Sequence, residues 1–267
     1  MLDDTTVCYR HPDRSAAVSC QRCERPICTQ CMNQASVGFH CPECARAGAQ
    51  RVIDARQLTS WRPRVTIALI VVNVVIFFAQ DALIGGRRVV DWGFLLGPAV
   101  AAGDWWRIAT SGFLHGSLMH LGFNMYALWI FGQPLERTLG TARFALAYVA
   151  GLFGGGLAVL VFNYDVPTLG ASGAVLGLAG ALAAVLWARG VKLTQTSLFG
   201  LFIINLALPL LVPRISFWGH LGGIAAGFAA GWLLSWLPER FGRPTNLASA
   251  ATVALCAALF LAALTIP

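Results

Sequence analysis

From Val65 onward the chain is a succession of long apolar segments separated by short polar breaks; before Val65 there is no apolar run. A helix crossing a bilayer takes about 20 mostly apolar residues. Seven stretches approach that length: about 65–80, 117–133, 142–163, 170–188, 197–212, 216–236 and 247–265. Several are short, which Gly- and Ala-rich helices buried among neighbours tolerate. The first two are joined by DALIGGRRVVDWGFLLGPAVAAGDWWRIATSGFLH, semi-apolar and broken at Gly97, Pro98 and Gly103. It predicts a structured loop in the membrane interface, with Trp92, Trp105 and Trp106 at headgroup depth. An eighth span inside this loop is the alternative.

Composition sharpens the picture. Of 267 residues, 57% are hydrophobic and 12% charged, where soluble domains carry about 25% charged residues. The pattern predicts an all-α polytopic membrane protein in contact with the lipid bilayer. The net charge of +7 does not point to nucleic acid. Every basic residue but Lys192 is Arg, and they cluster at segment ends or within the first 64 residues, as a topology signal does. With the N-terminus in the cytosol, Arg51, Arg56, Arg62, Arg64, Arg137, Arg143, Arg189, Lys192, Arg240 and Arg243 fall inside. Arg87, Arg88, Arg107 and Arg214 fall outside. The bias predicts a multi-pass cell-membrane protein with a cytosolic N-terminus. The opening MLDDTTVCYRHPD lacks the apolar run of a secretory signal.

Seven of the eight cysteines precede residue 45 and form a separate problem. The spacing is Cys8-x2-His11, Cys20-x2-Cys23, Cys28-x2-Cys31 and Cys41-x2-Cys44. A two-residue turn lets both members of a pair reach one ion, so four pairs suit two tetrahedral zinc sites. A disulfide framework needs an oxidising compartment, against the predicted cytosolic side. So small a segment has little core without metal. Eight ligands fill two sites and leave no open position, which makes this a binding or regulatory module rather than a catalytic one. The organisation expected is a zinc-binding domain at 1–48, a basic linker at 49–64, a membrane core at 65–240 and an additional C-terminal helix at 241–267. Cys256, inside the last segment, reads as a small apolar filler.

Within the spans stand His115, His120, Asn124, Ser172 and His220. A lone Ser in an apolar helix is commonly satisfied by a carbonyl one turn back, and His115 at a span mouth is equally an interfacial residue. Intramembrane His and Asn are costly and more often functional. With the N-terminus inside, spans two, four and six run inward. His120 and Asn124, Ser172 and His220 then lie near their outer ends, in one layer. Gly219, Gly223, Gly227 and Gly231 form a bare stripe spaced by four; Gly173 and Gly177 precede Ala181 in span four. Such faces let membrane helices approach closely. If they meet, the Ser172 hydroxyl comes within reach of the His220 imidazole, the usual base for a serine nucleophile. Asn124, His120 and the Ser172 amide would supply oxyanion donors. No Asp or Glu is placed to orient His220, so the pair is a dyad needing no cofactor.

These residues resemble the rhomboid intramembrane serine proteases. The matching stretches are WR at 106–107, HGSLMHLGFNM at 115–125, GQPLERTLG at 132–140, GASGAVLGL at 170–178 and GHLGGIAAG at 219–227. The resemblance implies a six-helix core with one appended C-terminal span, Ser172 as nucleophile, His220 as base, and His120 and Asn124 at the oxyanion. His115 would be supportive, and Trp106–Arg107 and Glu136–Arg137 structural. Membrane proteins, single-span ones among them, are the implied substrates, approaching laterally. Many relatives carry an aromatic residue four positions after the serine; Leu176 stands here, which implies modest activity. The head resembles a B-box zinc finger, in which alternating pairs share a metal: Cys8/His11 with Cys28/Cys31, and Cys20/Cys23 with Cys41/Cys44. Spacing alone also permits neighbouring pairs, and His40 is an alternative ligand. A cytosolic protein is a candidate partner for the head. The competing functions are a client-binding pseudoprotease and a transporter. The latter would need acidic residues within spans, and Glu136 is taken as peripheral.

Overall fold

Each of the seven apolar segments is a helix in the computed structural model, which describes residues 6–47, 61–84, 87–211, 215–242 and 245–266. Arg51, Arg56, Arg214, Arg243 and most of the expected linker lie outside the described residues. Contacts divide the chain between Arg62 and Pro63.

The N-terminal unit consists of three antiparallel hairpins and a short helix. Strand β1 (Val7–Cys8) pairs with β2 (His11–Ser15), β3 (Val18–Ser19) with β4 (Pro26–Ile27), and β5 (Asn33–Gln34) with β6 (Phe39–His40); α1 (Pro42–Ala47) closes it. Its fully buried apolar residues are five cysteines and Ile27. Tyr9, Val18, Met32 and Phe39 pack around them only partly buried, so the apolar area that holds this unit together is small.

The second unit opens with α2 (Arg64–Ala79), followed by a hairpin of β7 (Leu83–Ile84) and β8 (Arg87–Arg88). Three single-turn helices come next: α3 (Val89–Gly93), α4 (Gly97–Ala101) and α5 (Arg107–Thr110). Among its described residues, the segment predicted as a structured loop holds no spanning helix. The long helices are α6 (Leu118–Leu139), α7 (Thr141–Phe162), α8 (Ser172–Ala188), α9 (Leu198–Leu211), α10 (Phe217–Phe241) and α11 (Thr245–Leu264). Residues 141–162, 217–238 and 246–264 are long and apolar enough to cross a membrane, and 64–79, 172–188 and 198–209 are shorter apolar helices. Large apolar side chains face outward, among them Phe78, Leu118, Met119, Ile204 and Leu261. An apolar exterior of that extent suits lipid, not water.

Helices α7, α8 and α10 meet along glycine. The stripe Gly223, Gly227 and Gly231 of α10 lies on the backbone of Gly173, Gly177 and Ala181 in α8, residue for residue. A Cβ at Gly177 would stand 2.6 Å from Gly151 Cα of α7, and one at Gly155 would stand 2.9 Å from the Gly219 carbonyl oxygen. Such seams gain dispersion contacts and exclude any side chain. The two small faces named from sequence do meet. The third, in GLFGGGLAVL of α7, was not anticipated, although Gly151 and Gly155 carry the same spacing of four.

Candidate active site and metal centres

Three helix starts converge on one layer. His120 is the third residue of α6, Ser172 the first of α8 and His220 the fourth of α10. Serines fix two of these starts: Ser117 Oγ accepts the His120 amide at 3.1 Å, and Ser216 Oγ accepts the Gly219 amide at 3.1 Å. Each cap satisfies one of the free amides of a first turn. The third start follows Gly170, whose φ of +131° only glycine adopts readily. Its amide donates to the Ser111 carbonyl at 2.9 Å.

Ser172, His220, His120, Ser111 and Leu95 line a cavity of about 50 Å³, walled elsewhere by glycine and by apolar side chains such as Leu152 and Val159. One water needs on the order of 10–15 Å³, so a few fit. No hydrogen bond joins Ser172 to His220: the imidazole is buried and neither ring nitrogen has a partner. His120 Nδ1 accepts the Gly116 amide at 3.4 Å, which puts the ring proton on Nε2. That nitrogen faces the bare side of Gly170: a Cβ there would lie 2.9 Å from His120 Nε2 and 3.8 Å from Ser172 Oγ. The space a side chain would have filled is thus bordered by a hydroxyl and an N–H donor. The amides of Ser172 and Gly173 belong to a helix first turn and lack acceptors one turn back, adding positive potential.

Other residues sit differently from expectation. Asn124 is buried but does not line the cavity, and its Nδ2 donates to the His120 carbonyl at 3.0 Å. His115 is fully buried inside the protein, its ring 5.1 Å from that of His120, with both ring nitrogens unpartnered. Its backbone is held instead, through Gln80, which accepts its N–H at 3.1 Å and donates to its carbonyl at 2.7 Å. Leu176 is buried in the helix core.

Two charged residues hold the frame. Arg107 is buried beneath the loop, paired to Asp104 at 2.9 Å and donating to the carbonyls of Asp91 and Phe94. Glu136 is not peripheral. It is 1% exposed, and its carboxylate accepts from the amides of Val65 and Thr66 and from Thr66 Oγ1, at 2.8 to 3.0 Å. A carboxylate on a helix N-terminus takes up free amides and complements the dipole.

The match to the Rhomboid domain runs from residue 102 to 237, just over half the chain. The chain belongs to the rhomboid family. Over 184 residues it is 34% identical to rhomboid protease GluP of Bacillus subtilis, covering 67% of this chain and 36% of GluP. It is 33% identical over 175 residues to putative rhomboid protease YdcA of the same organism, covering 62% of this chain and 85% of YdcA. RHOMBOID-like protein 6, mitochondrial, of Arabidopsis thaliana is 37% identical over 143 residues, covering 52% and 45%. The chain thus spans about a third of the length of GluP and just under half that of RHOMBOID-like protein 6.

Outside this rhomboid's family match, the head brings its ligand-type residues into two sets: Cys8, His11, Cys28 and Cys31, and Cys20, Cys23, Cys41 and Cys44. Within each, the donor atoms lie within 4.8 Å of one another. His11 Nδ1 stands 3.4 Å from the sulfurs of Cys28 and Cys31 and 3.9 Å from that of Cys8. Cys23 and Cys41 sulfurs are 3.7 Å apart, far beyond a disulfide. The edges of a tetrahedron around zinc are about 3.5 Å for nitrogen–sulfur and 3.8 Å for sulfur–sulfur at ordinary bond lengths, so both sets fit that ion. Alternating pairs come together, and His40 joins neither set. Burial alone would raise the Cys8 and Cys20 thiols, but amide donors around each sulfur outweigh it and hold both down at about 6. In the same two sets burial pushes the Cys31 thiol up to about 11, and the neighbouring Cys41 and Cys23 sulfurs push Cys44 up to about 12. Arg25 donates to the Cys23 sulfur at 3.3 Å, pairs with Glu43 and lies over the Tyr9 ring.

Proposed function

We propose that this rhomboid is an intramembrane serine protease in which Ser172 Oγ attacks a peptide carbonyl and His220 takes the hydroxyl proton. The observation that carries the reading is the shared cavity: Ser172 and His220 come from different helices, brought to one small space by a seam of bare backbone. Attack requires the His220 ring to swing onto the hydroxyl, and catalytic hydrogen bonds are often made only once substrate is bound. The developing oxyanion would sit over Gly170, taking hydrogen bonds from His120 Nε2–H and the Ser172 amide. Collapse of the tetrahedral adduct expels the amine, which receives the proton from His220. Water entering the same cavity then releases the acyl group.

The substrates are membrane proteins, cut in or near a spanning segment whose backbone can be unwound into the site. Seven spans, an N-terminus in the cytosol and a place in the plasma membrane complete the reading, supported by the seven apolar helices and the arginine bias. The test is a fluorophosphonate probe on purified protein in mild detergent, comparing wild type with Ser172→Ala and His220→Ala. Labelling lost in both variants is expected. Absence of labelling in a folded wild type, beside a labelled active rhomboid, would favour the client-binding reading and make Leu176→Tyr the next variant.

The head, on this reading, binds two structural zinc ions, Cys8, His11, Cys28 and Cys31 holding one and Cys20, Cys23, Cys41 and Cys44 the other. It serves assembly, regulation or partner binding in the cytosol, not chemistry. Unchanged activity, stability and oligomeric state in native membranes after deletion of residues 1–48 would remove that role.

A further inference from the structure

Helix α11 lies beyond residue 237, where the family match ends, and the chemistry above gives it no task. Its last turns nonetheless reach the layer that holds Ser172. The Phe260 ring lies 5.2 Å from that of Phe153 and 6.4 Å from that of Trp105, nearly perpendicular to the latter. Ala263 is fully buried in an apolar cluster with Leu95, Val100 and Ile108, and Phe260 packs against the same cluster. Trp105, Leu95, Val100 and Ile108 belong to the segment between α2 and α6, while Phe153, and Val159 and Leu160 of the same cluster, belong to α7.

Leu95 has two further relationships. It lines the cavity with Ser172 and His220. Its backbone also forms a closed antiparallel pair with Thr168, donating at 2.8 Å and accepting at 2.9 Å. Two residues on, the Gly97 amide donates to the Tyr164 carbonyl at 2.9 Å, and the Tyr164 ring covers the bare face of Gly97. The segment that delivers Gly170 and Ser172 is therefore hung on residues 95–97. Those residues are part of a loop of single-turn helices and have little rigidity of their own.

We propose that α11 is the outer brace of the nucleophile loop, with Phe260 as a positioning residue. Phe260 and Ala263 hold the apolar cluster closed from outside, Leu95 is fixed by it, and the Leu95–Thr168 pair passes that constraint to Ser172. The catalytic consequence rests on Ser172 being the nucleophile; the brace itself does not. A displacement of about 1 Å at a reacting group costs roughly a hundredfold in rate, so a loosened pair would show in chemistry before it shows in folding.

The experiment compares full-length wild type, Phe260→Ala, Phe260→Leu and Leu261→Ala in detergent, Leu261 being an outward-facing neighbour. Two quantities are read: hydrogen exchange in peptides covering 94–98 and 164–171, and the limiting rate of fluorophosphonate labelling separated from probe affinity. In Phe260→Ala, local exchange is expected to rise at least about tenfold against peptides inside α8. Its limiting labelling rate should fall about tenfold or more with affinity unchanged. Phe260→Leu, which keeps most of the apolar volume, should restore both, and Leu261→Ala should leave both alone. Exchange rising evenly over the whole unit, or no local change, would overturn the brace. So would a lowered melting temperature with an unchanged limiting rate in the folded fraction. A wild type that exchanges as described but never labels would sink the protease reading while upholding the brace.

Discussion

The Cα of Gly223 lies so close to the carbonyl of Gly173 that no side chain fits between them. This contact, next to Ser172 in α8 and one turn from His220 in α10, sets how near the two helices carry their reactive groups. Gly223→Ala should push α10 off α8, with overpacking costing about 1–3 kcal/mol or more, and should abolish labelling. Gly200→Ala, at a helical site where an added methyl meets nothing, is the matched control and should stay within about 1 kcal/mol of wild type. Thermal unfolding and probe labelling of both variants check this.

Gly170→Ala should separate chemistry from folding. The left-handed backbone there strains any other residue by about 1–3 kcal/mol, and a methyl would stand 2.7 Å from His120 Cε1. It would occupy the space assigned to the oxyanion. The expected outcome is a folded protein whose labelling rate falls at least about a hundredfold, read by stopped-time labelling at saturating probe.

Glu136→Gln should do the opposite. The amide keeps one accepting oxygen but turns an NH2 toward groups that are themselves donors, which costs about 2–3 kcal/mol. The melting temperature should drop, while the labelling rate per folded molecule remains that of wild type. Calorimetry or a fluorescence melt, paired with labelling at low temperature, distinguishes the two.

Purified full-length protein should carry two zinc ions per chain by elemental analysis. Cys28→Ser and Cys41→Ser should each lower that number to one, and the pair together to none. A strong chelator should render residues 6–47 sensitive to protease, since a core of thiols has no other cross-link. A metal content of one in wild type would contradict two separate sites.

Much of this arrangement was legible in the sequence, for physical reasons that differ from place to place. The stripe at 219–231 could be read because bare backbone every four residues on an apolar helix has little purpose but close packing. The expectation that Ser172, His120 and His220 share one layer followed from helix rise together with the common direction of spans two, four and six. The grouping of the Cys and His residues into two sets did not follow from spacing, which permits neighbouring pairs equally; only the resemblance to a B-box favoured the alternation found. Glu136 was misjudged because its partners are the backbone amides of Val65 and Thr66, and backbone leaves no mark in a sequence. Arg107 and Gln80 work the same way, through carbonyls and an amide. The brace from Phe260 to Leu95 joins residues more than 160 positions apart in a segment without periodicity, and nothing local announces it.

The Glu136 carboxylate lies 70 residues downstream of the Thr66 amide that it receives. At synthesis rates of about 5–20 residues per second, the first helix waits on the order of 4–14 seconds for the group that closes its start. Until then its leading amides can be satisfied only by water at the membrane surface. Helix α2 is therefore made with its start still open, and α6 closes it on arrival. The smallest finished unit of insertion is a pair of helices, with Glu136 as its clasp.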